Sequence, residues 1–264
     1  MEQNRRNIMP NNTNELLDAM NQIFVLGSDV TKAPYIQNDP KTGQHQIFVF
    51  SSSSDVADFI DTKTTKHLRY LSTAVPKTEI KRMFPLFARL GVDTVVLKKD
   101  TAAQPISIPL KEFLTEEEKG IHANPALSRA AIYLAQETRQ RKTDITAEAL
   151  KSADQNFWEA LKKSQILVAV LPPHEKIKQA KKENLQFPAL RYGNGDRFIP
   201  AFTDEVELND YNRRNNSNFQ AIRVPFIQLR SIYVDGLKGF MLNPHNLIQP
   251  IFYTRLEEEM KNMK

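Results

Sequence analysis

The strongest constraint on this chain is that one pattern occurs in it twice. FVFSSSSDVADFI (48–60) lies on PAFTDEVELNDYN (200–212) without a gap, setting Phe50 on Phe202, Ser51 on Thr203, Val56 on Leu208, Asp58 on Asp210 and Phe59 on Tyr211. In both copies an apolar, strand-like run stops at Ser or Thr and a capping box follows, Ser52 with Asp55 and Asp204 with Glu207. A short polar side chain at a helix start accepts from the first unbonded amides, and a carboxylate three residues on complements the helix dipole. The four serines at 51–54 therefore predict a strand-to-helix junction. A low-complexity linker would have no reason to reproduce a capping box at the matching place in a second copy.

The match extends outward. APYIQNDPKTGQHQIFVF (33–50) pairs with FPALRYGNGDRFIPAF (187–202), two strand patterns around a turn, and NELLDAMNQIFVLGS (14–28) pairs with NFWEALKKSQILVAVLPP (156–173), a helix followed by a strand. Downstream, VPKTEIKRMF (75–84) lies on VPFIQLRSIY (224–233), each with Pro at a helix start, where its missing N–H costs nothing. Helical spacing sets Ile80, Met83 and Phe84 opposite Leu229, Ile232 and Tyr233 as a core stripe. GVDTVVLKKD (91–100) then meets GLKGFMLNPH (236–245), and PISIP (105–109) meets PIFYT (250–254). Copy one holds about one helical turn more than copy two. A further helix, from Asn124-Pro125 to Lys142, precedes copy two alone. The expected fold is α+β: two tandem related mixed-sheet domains from an internal duplication, at 14–115 and 121–255.

FWEALKKSQILVAVLPP, FPALRYGNGDRFIPAFTDEVEL and GFMLNPHN together resemble the N-terminal domain of the SseB (enhanced serine sensitivity) family of bacterial proteins. The resemblance runs from about Asn124 to Tyr253. The first half resembles the same domain more weakly: it keeps APYI, the Phe-Ser-Ser helix start and VPKTEI, but Gly27-Ser28 replaces Leu171-Pro172 and Lys98-Lys99 replaces Asn243-Pro244. The resemblance implies a pair of SseB-like domains. It carries over no reaction, cofactor or catalytic residue, because the family is tied by name to a serine-sensitivity phenotype.

The chemistry-bearing residues are dispersed. With no cysteine in the chain, disulfides, thiolate nucleophiles and Cys-ligated zinc are excluded. Histidines stand singly at 45, 67, 122, 174 and 245, none at the spacing of a helical metal pair. The glycines form no phosphate cradle and the serine run is occupied with capping, so no catalytic residue, metal ligand or cofactor is expected. Asp204, Glu205 and Glu207 are explained by the helix dipole without an acid–base role. No segment approaches the roughly 20 apolar residues of a membrane helix, and the polar N-terminus lacks a signal peptide's apolar core, so a cytoplasmic protein is expected.

The net charge of +5 raises the question of nucleic acid. Its sharpest feature is KIKQAKK (176–182), with Lys176, Lys178, Lys181 and Lys182, backed by Arg191, Arg213 and Arg214. No aromatics are interleaved with these lysines and copy one has no such run, so nucleic acid is disfavoured as a partner and a solvated loop favoured. The two copies differ more informatively at the Pro-started helices, where Phe226 and Ile227 stand opposite Lys77 and Thr78. Apolar residues at positions that copy one gives to water, between Arg223 and Arg230, nominate Phe226, Ile227, Arg223 and Arg230 as partner-binding residues. A wider core stripe is the competing explanation. The function expected is a non-catalytic interaction or regulatory module recognising a protein or peptide partner. The alternatives are an enzyme or small-ligand binder with a site at the domain interface, and a weak nucleic-acid binder through a basic face.

Overall fold

The computed structural model describes residues 15–31, 33–62, 69–98, 104–112, 124–139, 146–171, 185–193 and 195–263. The chain divides into two compact units, Met1–Ile121 and His122–Lys264. Unit one holds β1 (Gln22–Ser28), β2 (Ile36–Asn38), β3 (His45–Phe50), α1 (Ser53–Thr62), β4 (Tyr70–Pro76), α2 (Lys77–Arg89), β5 (Thr94–Lys98) and β6 (Ile106–Pro109). Unit two holds α3 (Pro125–Arg139), α4 (Ala147–Lys162), β7 (Gln165–Val170), β8 (Leu190–Tyr192), β9 (Asp196–Phe202), α5 (Glu205–Asn215), β10 (Gln220–Pro225), β11 (Gly239–Leu242), β12 (Gln249–Phe252) and α6 (Tyr253–Lys261).

The two sheets share one topology. The first has the order β4-β1-β3-β5-β6 with β2 on β3, and the second β10-β7-β9-β11-β12 with β8 on β9. In each, a single pair is parallel, β3 with β5 and β9 with β11. The registers correspond too. Gln22 faces Pro76 as Gln165 faces Pro225, and Phe24 faces Phe50 as Leu167 faces Phe202. Gly91 and Gly236 both take left-handed φ, 77° and 74°, beyond the segment that follows the second edge strand. A side chain there would be strained, so both copies keep the residue without one.

Three details depart from the sequence reading. The closing strands are two residues out, because Val95 faces Ile108 while its counterpart Phe240 faces Ile251, so Ile108 corresponds to Ile251. A slip of two keeps every side chain on its own side of the sheet and so escapes a pattern match. Chain beyond 255 continues in helix, to Lys261. The Pro-started segments also differ in kind: α2 has 13 residues, whereas its counterpart, Phe226–Ser231, is a six-residue 3₁₀ helix.

The two junctions carry the caps that the repeat predicted. In unit one, Ser52 Oγ accepts from the Asp55 amide at 3.1 Å and donates to Asp55 Oδ2 at 2.7 Å. In unit two, Asp204 Oδ1 accepts from the amides of Val206 (2.9 Å) and Glu207 (3.1 Å). The Glu207 carboxylate accepts from Asn246 Nδ2 at 2.8 Å. Replacing Asp204 with Ala is expected to cost about 1–2 kcal/mol, the upper part of the range for caps, since the residue is buried. Urea denaturation of the full chain followed by Trp158 emission reports it, and an unchanged midpoint would assign the cap to Thr203.

Candidate functional site

The exposed features of unit two follow from its local backbone geometry. A 3₁₀ helix has three residues per turn, so positions three apart share a face. Phe226 and Leu229 form the inner stripe of Phe226–Ser231, continued just past it by Ile232, and all three are buried. Ile227 and Arg230 form the outer stripe, continued by Tyr233; Ile227 is 63% and Tyr233 65% exposed. This corrects two expectations. Phe226, 2% exposed, belongs to the core of its unit and is closed to a partner, whereas Tyr233, assigned to the core by α-helical spacing, faces water. The helix is too short for the 3.6-residue period to reach residue 233. Arg230, Tyr233, Tyr253, Leu256 and Glu257 line a shallow cleft of about 410 Å³, across which Arg230 Nε lies 3.8 Å from Glu257 Oε1. Arg223 is paired with Glu205 at 3.4 Å.

A second concavity is larger and more apolar. Its floor and walls come from α3 (Leu134, Thr138), α4 (Leu150, Phe157, Trp158) and β12 (Pro250, Phe252), enclosing about 520 Å³. Lys151, Asp154 and Arg255 supply charge at its margin. Phe252 remains 41% exposed there. What sets β12 against the helices is the loop between β11 and β12. The Asn243 carbonyl accepts from the amides of Asn246, Leu247 and Ile248, and both Asn243 and Ile248 take left-handed φ, 45° and 54°. For a β-branched residue that conformation costs roughly 1–2 kcal/mol. Arg139, at the end of α3, offsets it by donating to the carbonyls of Leu247 and Ile248.

The charged margin of the groove is held by a network between α4 and α6. Arg255 Nη2 lies 3.2 Å from Asp154 Oδ2 and 2.7 Å from Glu259 Oε1, and Lys162 Nζ lies 2.9 Å from Glu259 Oε2. Asp154 also accepts from the indole N–H of Trp158 at 3.2 Å, and the Arg255 guanidinium sits 5.7 Å from that ring's centre. The buried carboxylate of Glu259 holds the Lys162 ammonium above the usual lysine range. This network orients the one tryptophan of the chain toward the groove. The amphipathic pattern of α4 is legible in NFWEALKK (156–163), but Asp154 to Trp158 and Arg255 to Glu259 are each ordinary four-residue helix spacings, invisible as a site until the two helices meet.

The other residues singled out in the sequence do not converge. Lys176, Lys178, Lys181 and Lys182 lie outside the described residues. Arg213 and Arg214 are both paired with Asp210 on α5. His245 Nε2 meets Asn215 Nδ2 and its ring lies 4.9 Å from that of Tyr211. In unit one, burial lowers the pKa of the Lys98 ammonium, which lies 4.3 Å from the centre of the Phe59 ring. Among the described residues no group of three or more His, Asp or Glu is placed to hold a metal ion, and no helix is long and apolar enough to cross a membrane.

Comparison with known proteins places a family match on this unit. Residues 145–249 match the family model described as the SseB protein N-terminal domain, from the start of α4 to the start of β12. The match covers under half of the chain and none of unit one, so one SseB-type match stands where a tandem pair was expected. No curated protein matches. Among solved structures, Tic22 from Plasmodium falciparum is 11% identical with a TM-score of 0.21, covering 96% of this chain and 98% of that one. Anabaena Tic22 (protein transport) is 13% identical with a TM-score of 0.22, covering 97% and 98%. At such scores the likeness carries no argument about this chain.

Tyr253 gives the site a pH dependence. Its hydroxyl donates to the Ile232 carbonyl at 2.9 Å, and burial pushes the phenol up to about 12. The folded chain therefore holds this proton after the unfolded chain, ionising near 10, has released it. Stability is fully present below about pH 10 and is lost progressively as pH rises toward about 12. Lys162, raised chiefly by Glu259, adds a loss of the same sign. Urea midpoints measured across this window should fall less steeply in Tyr253→Phe than in the parent chain, with a residual slope from Lys162.

Proposed function

We propose that this chain is a non-catalytic recognition module for a protein or peptide partner, and that the groove between α3, α4 and β12 receives apolar side chains of that partner. The observation that carries this reading is the groove's composition. Leu134, Leu150, Phe157, Trp158, Pro250 and the half-exposed Phe252 form an apolar lining inside a margin of Lys151, Asp154 and Arg255. An apolar centre with a charged rim is the anatomy of a protein-binding surface, and aromatic and Arg residues dominate the energetics of such surfaces. Ser52 and Asp204 are engaged in helix caps, and Asp154, at the groove's margin, with Trp158 and Arg255.

A second reading rests on the outer stripe. Ile227, Arg230 and Tyr233 project from the 3₁₀ helix beside the cleft under α6, and the residue types suit a smaller contact. Of the four partner-binding residues nominated by the sequence, Ile227 and Arg230 belong to this surface. Arg223 neighbours it through the 3₁₀ helix that follows β10, and Phe226 drops out.

A displayed library of random peptides, selected on the full chain, tests both readings. Selected peptides should be rich in aromatic and aliphatic residues and should shift the emission of Trp158, the chain's one tryptophan. Phe252→Asp should weaken them about tenfold or more, equivalent to about 1.4 kcal/mol, while Ile227→Lys leaves them unchanged. The reverse pattern would move the contact to the outer stripe, and a library yielding no binder would sink both.

A further inference from the structure

Strand β4 ends the first sheet and pairs with β1 along its whole length, from Gln22 opposite Pro76 to Ser28 opposite Tyr70. In an antiparallel pair, alternate residues exchange hydrogen bonds with the neighbour while those between point their N–H and C=O outward. Two bonds just beyond the ends set the phase: the Asp29 amide donates to the Arg69 carbonyl at 2.8 Å and the Lys77 amide to the Asn21 carbonyl at 2.9 Å. Odd-numbered residues of this ladder therefore bond β1. The backbone groups of Ser72 and Ala74 point away from the sheet, and among the described residues no strand lies on that side. Ser72, Thr73 and Ala74 are all exposed.

Proteins blunt such an edge with a charge, a proline or a bulge within the strand. β4 has none before its last residue: Tyr70-Leu71-Ser72-Thr73-Ala74-Val75-Pro76 is uncharged throughout. The second unit shows what is missing. Pro225 corresponds to Pro76, so Arg223 stands where unit one has Ala74, and it is held beside the edge by Glu205.

We propose that β4 is a self-pairing edge, and that its occupant is β4 of a second copy of this chain. A two-fold axis between the two Thr73 residues sets Ser72 opposite Ala74 of the other copy and Ala74 opposite its Ser72, each pair exchanging both bonds. Thr73 then faces Thr73 at the close, non-hydrogen-bonded position, where threonine pairs stabilise a sheet, and Leu71 faces Val75. The strand is compatible with itself because it carries no charge to set against its own image. The contact is isologous and closes at two copies. Being small, it is reversible, so concentration is the variable to read.

The test is the weight-average mass of the full chain by light scattering across a dilution series, for the parent, Ala74→Arg and Arg223→Ala. The parent should rise toward twice the monomer mass with concentration. Ala74→Arg, which installs the residue of unit two, should stay monomeric with an unchanged circular dichroism spectrum and melting midpoint, and Arg223→Ala should still dimerise. Hydrogen exchange of the parent is an independent readout: the Ser72 and Ala74 amides should slow as concentration rises, whether or not Ala74→Arg folds. A parent monomeric throughout, a dimer indifferent to Ala74→Arg in a folded variant, or exchange at Ser72 and Ala74 that ignores concentration would overturn the proposal. An added peptide of sequence YLSTAVP, which repeats the pairing pattern of β4, should compete with the second copy and lower the parent's weight-average mass, and a dimer indifferent to a large excess of it would overturn the proposal as well.

Discussion

The second unit is organised around a buried polar knot where β9 and β11 end side by side. Thr203, Asp204 and Asn243 are each almost wholly buried. Asn243 Oδ1 accepts from the Thr203 amide at 2.9 Å, its Nδ2 donates to Thr203 Oγ1 at 3.0 Å, and that hydroxyl donates to Asp204 Oδ2 at 3.0 Å. Asn124 closes the knot from the start of α3, donating to the carbonyls of Thr203 at 2.6 Å and Gln165 at 2.8 Å. A carboxylate taken out of water is tolerated only when its acceptor sites are filled, and Asp204 has two amides and a hydroxyl. Every partner is therefore needed by the others: the knot fixes where α5 starts, where α3 enters and how the loop after β11 leaves.

That last consequence leads to the groove. Once Asn243 is committed to Thr203, the chain turns in a left-handed conformation, gathers three amides on the Asn243 carbonyl and reaches Ile248 in a second left-handed conformation. Arg139 secures the turn from the far end of α3. β12 then starts at Gln249 with Pro250 and Phe252 on the groove side. The opposite wall is set by ions, with Glu259 between Lys162 and Arg255 drawing α6 onto α4. Surface pairs of this kind contribute little to stability, but a buried carboxylate shared by two cations fixes geometry, since leaving it unpaired is costly.

Much of this architecture was legible because it is local and occurs twice. Caps at Ser52 and Asp204, prolines opening the segments at Lys77 and Phe226, and apolar runs ending at Phe50 and Phe202 each follow from residues within one turn of each other. The misreadings arise where two backbone geometries share one pattern. Phe226 and Leu229 share a face in either a 3.6- or a three-residue period, but Tyr233 joins that face only in the first, and only the helix length decides. The closing strand slipped by two because alternation has no memory beyond parity. The groove was not legible at all. Its lining comes from three elements, with Leu134 and Phe252 more than a hundred positions apart, and no spacing rule relates them.

The two units share one sheet topology yet offer different surfaces. Where unit two has Asn243, whose side chain accepts from the Thr203 amide, unit one has Lys98, whose backbone carbonyl accepts from the Ser51 amide at 3.1 Å while its ammonium covers Phe59. The helix start is tied to the neighbouring parallel strand in both units, by the backbone in unit one and by the side-chain knot in unit two. Lys77 and Thr78 open a long helix where Phe226 and Ile227 open a short one, and the shorter helix exposes Tyr233. Ala74 leaves bare the edge that Arg223 guards. A shared backbone with conserved registers can thus carry an apolar groove on one copy and an open strand on the other. Each surface rests on a few side chains whose counterparts in the sister copy do something else.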